Sequence, residues 1–337
     1  MRFLYKLVLA ALAGAAVLVG MTWFLDARAT AAALSSLSWI IIPWLAILSL
    51  AGYYLRFLKW QYYLKLIGAD VPKRVSAGIF FSGFMMAVTP GKLGEVLKAY
   101  LLKRLYGIKM RITTPVVLAE RLTDVLALLA LSVAGAATLH YGRRALLVVS
   151  TLTVLGVAML SWRTLMVKLI VLCERLPLVD RVAHKLHEAY DSTATLIAPG
   201  PLVWATLLSI PAWAAEGVAF YAIFCNLHGP SGQAVAPPPL MGAIFVYSFS
   251  TLVGALSMLP GGLGAAEAGL AGLTVTLFAI PRGTAAAATL VIRLVTLWFA
   301  VLLGTMTFAA FQSKFGHRFA DVESVKQEEG DSGAPVG

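Results

Sequence analysis

Apolar residues follow one another along this chain in long blocks. The blocks are too continuous for the alternation of a half-buried strand or the single stripe of a surface helix. Six of them reach the roughly 20 residues a helix needs to cross hydrocarbon, at about 4–24, 39–58, 115–139, 145–162, 202–225 and 285–311. Two more, 75–106 and 240–280, are interrupted at Thr89-Pro90-Gly91 and at Pro260-Gly261-Gly262, which leaves halves short for a full crossing. A Pro-Gly break frees backbone groups that lipid cannot satisfy, so it must be buried in protein or line a wet cavity. The pattern predicts an all-α polytopic membrane protein with about six transmembrane helices plus two Pro-Gly-broken re-entrant helical hairpins.

The remaining segments are polar or mixed. Between 163 and 199, Leu178, Val182, Leu186 and Ala189 recur at helical spacing with Arg181, Lys185 and Glu188 on the other side, the pattern of a helix lying on a membrane surface. This surface helix is placed at about 176–198. Residues 316–337 are acidic and rich in Gly and Ser and are expected to be a disordered cytoplasmic tail, leaving 1–315 as one transmembrane domain. The first block follows Arg2 and Lys6 and is longer than the apolar core of a signal peptide, so it reads as an anchor helix. Ala27-Arg28-Ala29 resembles a cleavage site and keeps the signal-peptide reading open.

Composition supports lipid as the covering solvent. Of 337 residues, 60% are hydrophobic and 13% charged, against about 25% charged in a soluble domain, and the mean hydropathy is +0.84. The net charge of +11 does not point to nucleic acid, because the bases lie between apolar runs. With both hairpins returning to their own side, 20 of the 27 Lys and Arg residues fall on one face and Arg28, Arg143, Arg144 and Arg282 on the other. By the positive-inside rule both termini are cytoplasmic, in a multi-pass inner or plasma membrane protein. Some of that excess comes from bases within the first hairpin, where ligand binding is an equal explanation. Cys173 and Cys225 lack metal-ligand spacing, and His184 and His187 read as solvated. No metal and no cofactor is expected. Neither a Walker-type phosphate loop nor a Gly-x-Ser-x-Gly elbow occurs.

The strongest motif is internal. Pro90-Gly91-Lys92-Leu93-Gly94 returns as Pro260-Gly261-Gly262-Leu263-Gly264, 170 residues later. Arg121 follows Pro90 by 31 residues and Arg293 follows Pro260 by 33; Glu95 and Glu267 follow the two breaks. The spacing implies a duplicated unit, at about 75–140 and 240–312. Three spans separate the hairpins, so they enter from opposite faces as an inverted repeat, the arrangement used for alternating access. Coincidence in a Gly- and Leu-rich chain is the competing explanation.

A helix restarting after Gly91 and Gly94 aims free N–H groups at the break, and Lys92 adds charge, with Lys98 and Lys103 further along: a phosphate site at membrane depth. The plain alternative is a turn whose lysines meet headgroups. Glu120 and Asp124 share a helix face with Arg121 between them, and charge in hydrocarbon is costly enough to face a bundle interior. Partners for the carboxylates are Arg121, Arg56, Arg293 or a proton. The cluster counters substrate charge or carries a coupling proton, or else is a structural ion-pair knot. Glu216 joins the same network or serves as partner of Arg293; Glu267 joins it or complements a helix dipole.

Thr89-Pro90-Gly91-Lys92-Leu93-Gly94-Glu95, Glu120-Arg121-Leu122-Thr123-Asp124 and Leu259-Pro260-Gly261-Gly262-Leu263-Gly264 resemble the signatures of the lysylphosphatidylglycerol synthase transmembrane, flippase-like family, over about residues 5–312. In bifunctional members this membrane part is joined to a soluble aminoacyl-transferring domain and translocates the modified lipid. The residues after Phe311 are too few for that domain, so the resemblance implies the flippase half, a transporter rather than an enzyme. The expected function is translocation of an anionic phospholipid or polyprenyl-phosphate-linked lipid, passive or ion-coupled. Its headgroup would be held by Pro90, Gly91, Lys92, Gly94, Glu95, Arg121, Pro260, Gly261, Gly262, Gly264 and Arg293. The charge network would comprise Arg56, Glu120, Asp124, Glu216 and Glu267. Membrane lipids are the expected partners, with no nucleic acid, and there is room for a separate lipid-modifying enzyme and for a homo-oligomer. A membrane-embedded lipid-phosphate transferase with Glu95 or Asp124 as base, and a non-transporting scaffold of a lipid-modification pathway, are the alternatives.

Overall fold

The computed structural model describes residues 20, 26–89, 96–138, 195–227, 233, 235–257 and 259–314. The predicted first and fourth spans, the surface helix up to residue 194, the break 90–95 and the tail lie outside them. All regular structure among the described residues is helical. In chain order the helices are α1 (Ala27–Ser36), α2 (Ile41–Leu66), α3 (Lys73–Gly83, continued by a 3-10 turn Phe84–Met86), α4 (Val96–Tyr106) and α5 (Met110–Thr138). They continue as α6 (Pro199–Phe224), α7 (Leu240–Leu256), α8 (Ala265–Phe278) and α9 (Arg282–Lys314). Among the described residues, four stretches are long and apolar enough to cross a membrane: Ile41–Leu66, Pro199–Phe224, Pro260–Phe278 and Arg282–Lys314. These helices fit an all-α, multi-pass membrane protein.

Most helix ends fall close to the predicted spans; α2 is the exception. Its predicted end near 58 stops just before Lys59, yet the helix continues to Leu66. Lys59 is 1% exposed because it meets a carboxylate on α5, so the charge that looked like a span terminus is an interior contact. Lys98, 3% exposed, is likewise interior, and neither base belongs to the surface count behind the positive-inside argument. Ala27-Arg28-Ala29 forms the first turn of α1, capped by the Asp26 side chain accepting from Ala29 N–H at 3.1 Å. α1 packs on the start of α9, with Ala29 against Gly283.

Two apolar clusters build the interior. One joins α1 and the first half of α2 to the later halves of α5 and α6, to α7 and α8, and to the start of α9, around Leu45, Leu128, Phe220, Val246 and Ile292. The other gathers Trp60, Tyr63, Phe80, Leu101, Leu102, Val116 and Phe311 from α2 to α5 and the end of α9. Along α2, Arg56 and Lys59 fall between the two. Along α5 the divider is Glu120, Arg121 and Asp124, and along α6 it is Ser209. The charged side chains form a belt between two apolar layers.

The second interrupted block is resolved in detail. α7 ends at Leu256, Pro260–Gly262 make one 3-10 turn, and α8 starts at Ala265 and packs along α7. Gly261, Gly262 and Gly264 have φ of 62°, 67° and 87°, left-handed values that suit glycine because it lacks a Cβ. The chain reverses through three such residues, which explains why the motif is glycine-rich.

Candidate functional site

The belt is built from ion pairs between helices. Lys59 Nζ on α2 donates to Asp124 Oδ1 on α5 at 2.7 Å, to Ser209 Oγ on α6 at 2.7 Å and to Thr123 Oγ1 at 3.2 Å. Asp124 Oδ1 also accepts from Ser209 Oγ at 3.1 Å and Trp213 Nε1 at 3.2 Å, while Arg121 Nη1 lies 3.6 Å from Oδ2. Lys98 on α4 meets Glu120 Oε2 at 2.6 Å, its ammonium 4.7 Å from the Trp60 ring centroid and 5.1 Å from that of Phe80. The carboxylates of α5 thus take lysines from α2 and α4 as partners; of the alternatives read from sequence, Arg121 does approach Asp124, while Arg56 and Arg293 pair elsewhere.

The arginines go elsewhere. Arg56 Nη2 lies 2.8 Å from Glu216 Oε1 on α6, with its guanidinium carbon 4.0 Å from the Trp213 ring centroid. The other oxygen of Glu216 accepts a short hydrogen bond from Tyr247 OH on α7. Glu216 therefore serves Arg56, and Arg293 has a different carboxylate: its Nε lies 2.6 Å from Glu267 Oε1, and its Nη2 donates to Gly261 O at 2.9 Å. Glu267 Oε2 accepts the Gly264 N–H at 2.7 Å. One carboxylate caps the first turn of α8 and anchors the arginine of α9, and that arginine holds the Pro-Gly-Gly turn.

A cavity of about 260 Å³ opens where these elements meet. Arg56, Arg121, Asp124, Glu216, Gly261, Gly262 and Arg293 line it together with Tyr53, Trp213 and Tyr247, and an apolar wall comes from Val125, Leu128, Leu256, Leu259 and Leu297. Val88, just before the first break, reaches the same place: a methyl group added at Gly261 would stand 3.5 Å from Val88 Cα. Glu120 and Lys98 pair with each other away from the lining, Pro260 lies in the 3-10 turn, Gly264 is the N-cap of α8, and Glu267 pairs with Arg293. Pro90, Gly91, Lys92, Gly94 and Glu95 lie outside the described residues. Among the described residues no three His, Cys, Asp or Glu side chains gather as a metal site.

Broken helices around a charge-lined hollow are what the sequence comparison adds to. The chain matches the lysylphosphatidylglycerol synthase TM region over residues 7–304. It belongs to that family. The UPF0104 membrane protein of Methanothermobacter thermautotrophicus is similar to it, 25% identical over 304 residues that cover 85% of this chain and 87% of the relative. For this member of the family, the structure adds residues that the motifs did not flag: Lys59, Ser209, Trp213 and Tyr247. Lys59 carried a usable signal, standing three residues after Arg56 and so on the same face of α2. Trp213 and Tyr247 carried none, being aromatics in apolar runs.

Proposed function

We propose that this protein translocates an anionic lipid between leaflets, holding its phosphate in the arginine-lined cavity while the chains stay in hydrocarbon. One observation carries the reading most directly. Three arginines, Arg56, Arg121 and Arg293, line one cavity together with an apolar wall of Val125, Leu128, Leu256, Leu259 and Leu297. Guanidinium groups present planar sets of donors that suit phosphate oxygens, and the apolar wall suits lipid chains.

The finer architecture belongs to the same proposal. Six spans and two re-entrant hairpins form an inverted repeat, about 75–140 and 240–312, with both termini cytoplasmic in the cell membrane. The closeness of Val88 to Gly261 supports two breaks meeting at one midplane site. Asp124, taken up by Lys59, Ser209 and Trp213, is poorly suited to be the base of a transferase, which favours transport over chemistry.

Reconstitution into liposomes carrying fluorescent phosphatidylglycerol, phosphatidylcholine or a polyprenyl phosphate tests the reading. Accelerated leaflet exchange of an anionic lipid, lost in Arg293→Ala protein that still purifies as a single folded species, is the expected result. Exchange no faster than in protein-free vesicles for every anionic lipid overturns it.

A further inference from the structure

Immediately after Arg293 the last helix changes its hydrogen-bond register. Leu294–Trp298 form a turn of π-helix, in which the Phe299 N–H donates to Leu294 O, five residues back. In an α-helix that donor would serve Val295 O, four residues back. The wider turn therefore strips Val295 of its regular partner. α2 supplies the replacement: Ser49 Oγ donates to Val295 O at 2.8 Å, and Tyr53 OH donates to the neighbouring Thr296 O at 2.6 Å. Ser49 and Tyr53 are four residues apart, on one face of α2, and both are buried, at 0% and 2% exposure. An unserved carbonyl in that setting is costly; Ser49 serves Val295 O, and Tyr53 adds to the Phe299 N–H at Thr296 O, so both hydroxyls stabilise the π register.

The elements joined at this turn belong to the cavity. Arg293, on one side, holds Gly261 O. Leu297 within the turn and Ala300 beyond it form cavity wall. The Tyr53 ring also packs on Phe84, at 4.9 Å between centroids, in the 3-10 turn that leads toward the first break.

We infer that Ser49 and Tyr53 are positioning residues that hold α9 in its π register and so fix the cavity wall relative to Arg293. Loss of their two bonds lets the turn relax to an α-helix, which rotates the halves of α9 against each other by about 100° and shifts them by about 1.5 Å, the contribution of one residue. That change of wall would serve as a step of alternating exposure; this last clause rests on the translocation reading, whereas the register does not.

A cysteine scan separates the two. On a background with Cys173→Ser and Cys225→Ser, single cysteines at Ala300, Val301, Leu302 and Leu303 are labelled with a membrane-impermeant maleimide in purified, reconstituted protein. The fastest labelling is expected at Ala300. With Ser49→Ala and Tyr53→Phe together, the maximum moves by one residue and labelling at position 300 falls about tenfold, the equilibrium shift that one lost hydrogen bond supplies. Should the double variant fail to fold, Tyr53→Phe alone, which keeps the ring, has to move the pattern the same way. A maximum that stays at Ala300 in the folded variant overturns the register assignment. Exchange in the wild type that is unaltered in a variant with moved labelling overturns its link to lipid passage. Absence of exchange in the wild type defeats the translocation reading alone.

Discussion

The lysine pairs and the arginine pairs of this protein occupy the same belt and are put to different use. Lys59 and Lys98 are sealed, their side chains 1% and 3% exposed, and neither lines the cavity, although Asp124, the partner of Lys59, does. Arg56 and Arg293 keep 11% and 10% of their side chains exposed, and both line the cavity. The chemistry of the two cations fits the division. An ammonium is a compact point charge that a few oxygens can enclose, as four do around Lys59. A guanidinium spreads five donors over a plane, so it can pair with a carboxylate along one edge and offer the rest to a ligand. Lysines lock helices here; arginines face the guest.

The largest effect that would break this distinction is on stability at the lysine side. Lys59→Ala leaves Asp124 buried beside a gap, and removing one partner of such a pair costs about 3–5 kcal/mol. The variant is expected to unfold well below the wild type in a thermal scan in detergent. Replacing both partners, as Lys59→Met with Asp124→Leu, should recover most of the loss, since an apolar pair of similar volume is close to neutral. If Lys59→Ala unfolds with the wild type, the pair is not a lock.

An intermediate effect is expected on the arginine side, and on exchange rather than folding. Arg293→Lys keeps the charge but reaches Glu267 or Gly261 O less completely. A charge-assisted hydrogen bond to a phosphate contributes about 1.5–3 kcal/mol, so a guanidinium donor lost to the headgroup should lower leaflet exchange by about 10- to 100-fold, while the retained positive charge beside Glu267 keeps the fall in melting temperature smaller than that of Lys59→Ala. A stability loss equal to that of Lys59→Ala, with exchange intact, would erase the difference between the two kinds of pair.

How much of this was legible in the sequence depends on whether the signal was local. The break at Pro260-Gly261-Gly262 could be read directly, because proline and three left-handed glycines are requirements of the backbone itself. The gathering of Arg121, Asp124 and Arg293 was legible from cost, since charge in apolar helices has to face inward. Pairing was not. Lys59 stood at the edge of an apolar run; its spacing from Arg56 put it on the same face of α2, but only the approach of α5 gives it Asp124 as partner. Glu267 was read as joining the charge network or complementing a helix dipole; it caps α8 and binds Arg293 at once, one oxygen for each. The π turn at Leu294–Trp298 leaves no mark in composition or periodicity, because its cause lies on α2.

The smallest expected effect isolates the turn that Arg293 holds. Gly261 adopts φ 62°, ψ 13°, where a Cβ costs about 1–2 kcal/mol. The space around it is adequate: the nearest atoms to an added methyl would be Leu297 Cδ2 at 3.4 Å and Val88 atoms at 3.5 Å. Gly261→Ala should therefore lower the melting temperature by a few degrees through backbone conformation alone. Gly261→Asn should lose less, because asparagine tolerates the left-handed region better despite its greater bulk. That order, alanine worse than asparagine, is what conformation predicts. If bulk decided the outcome the order would reverse, placing the second break in a tighter contact with the first than a pinned turn beside an open cavity allows.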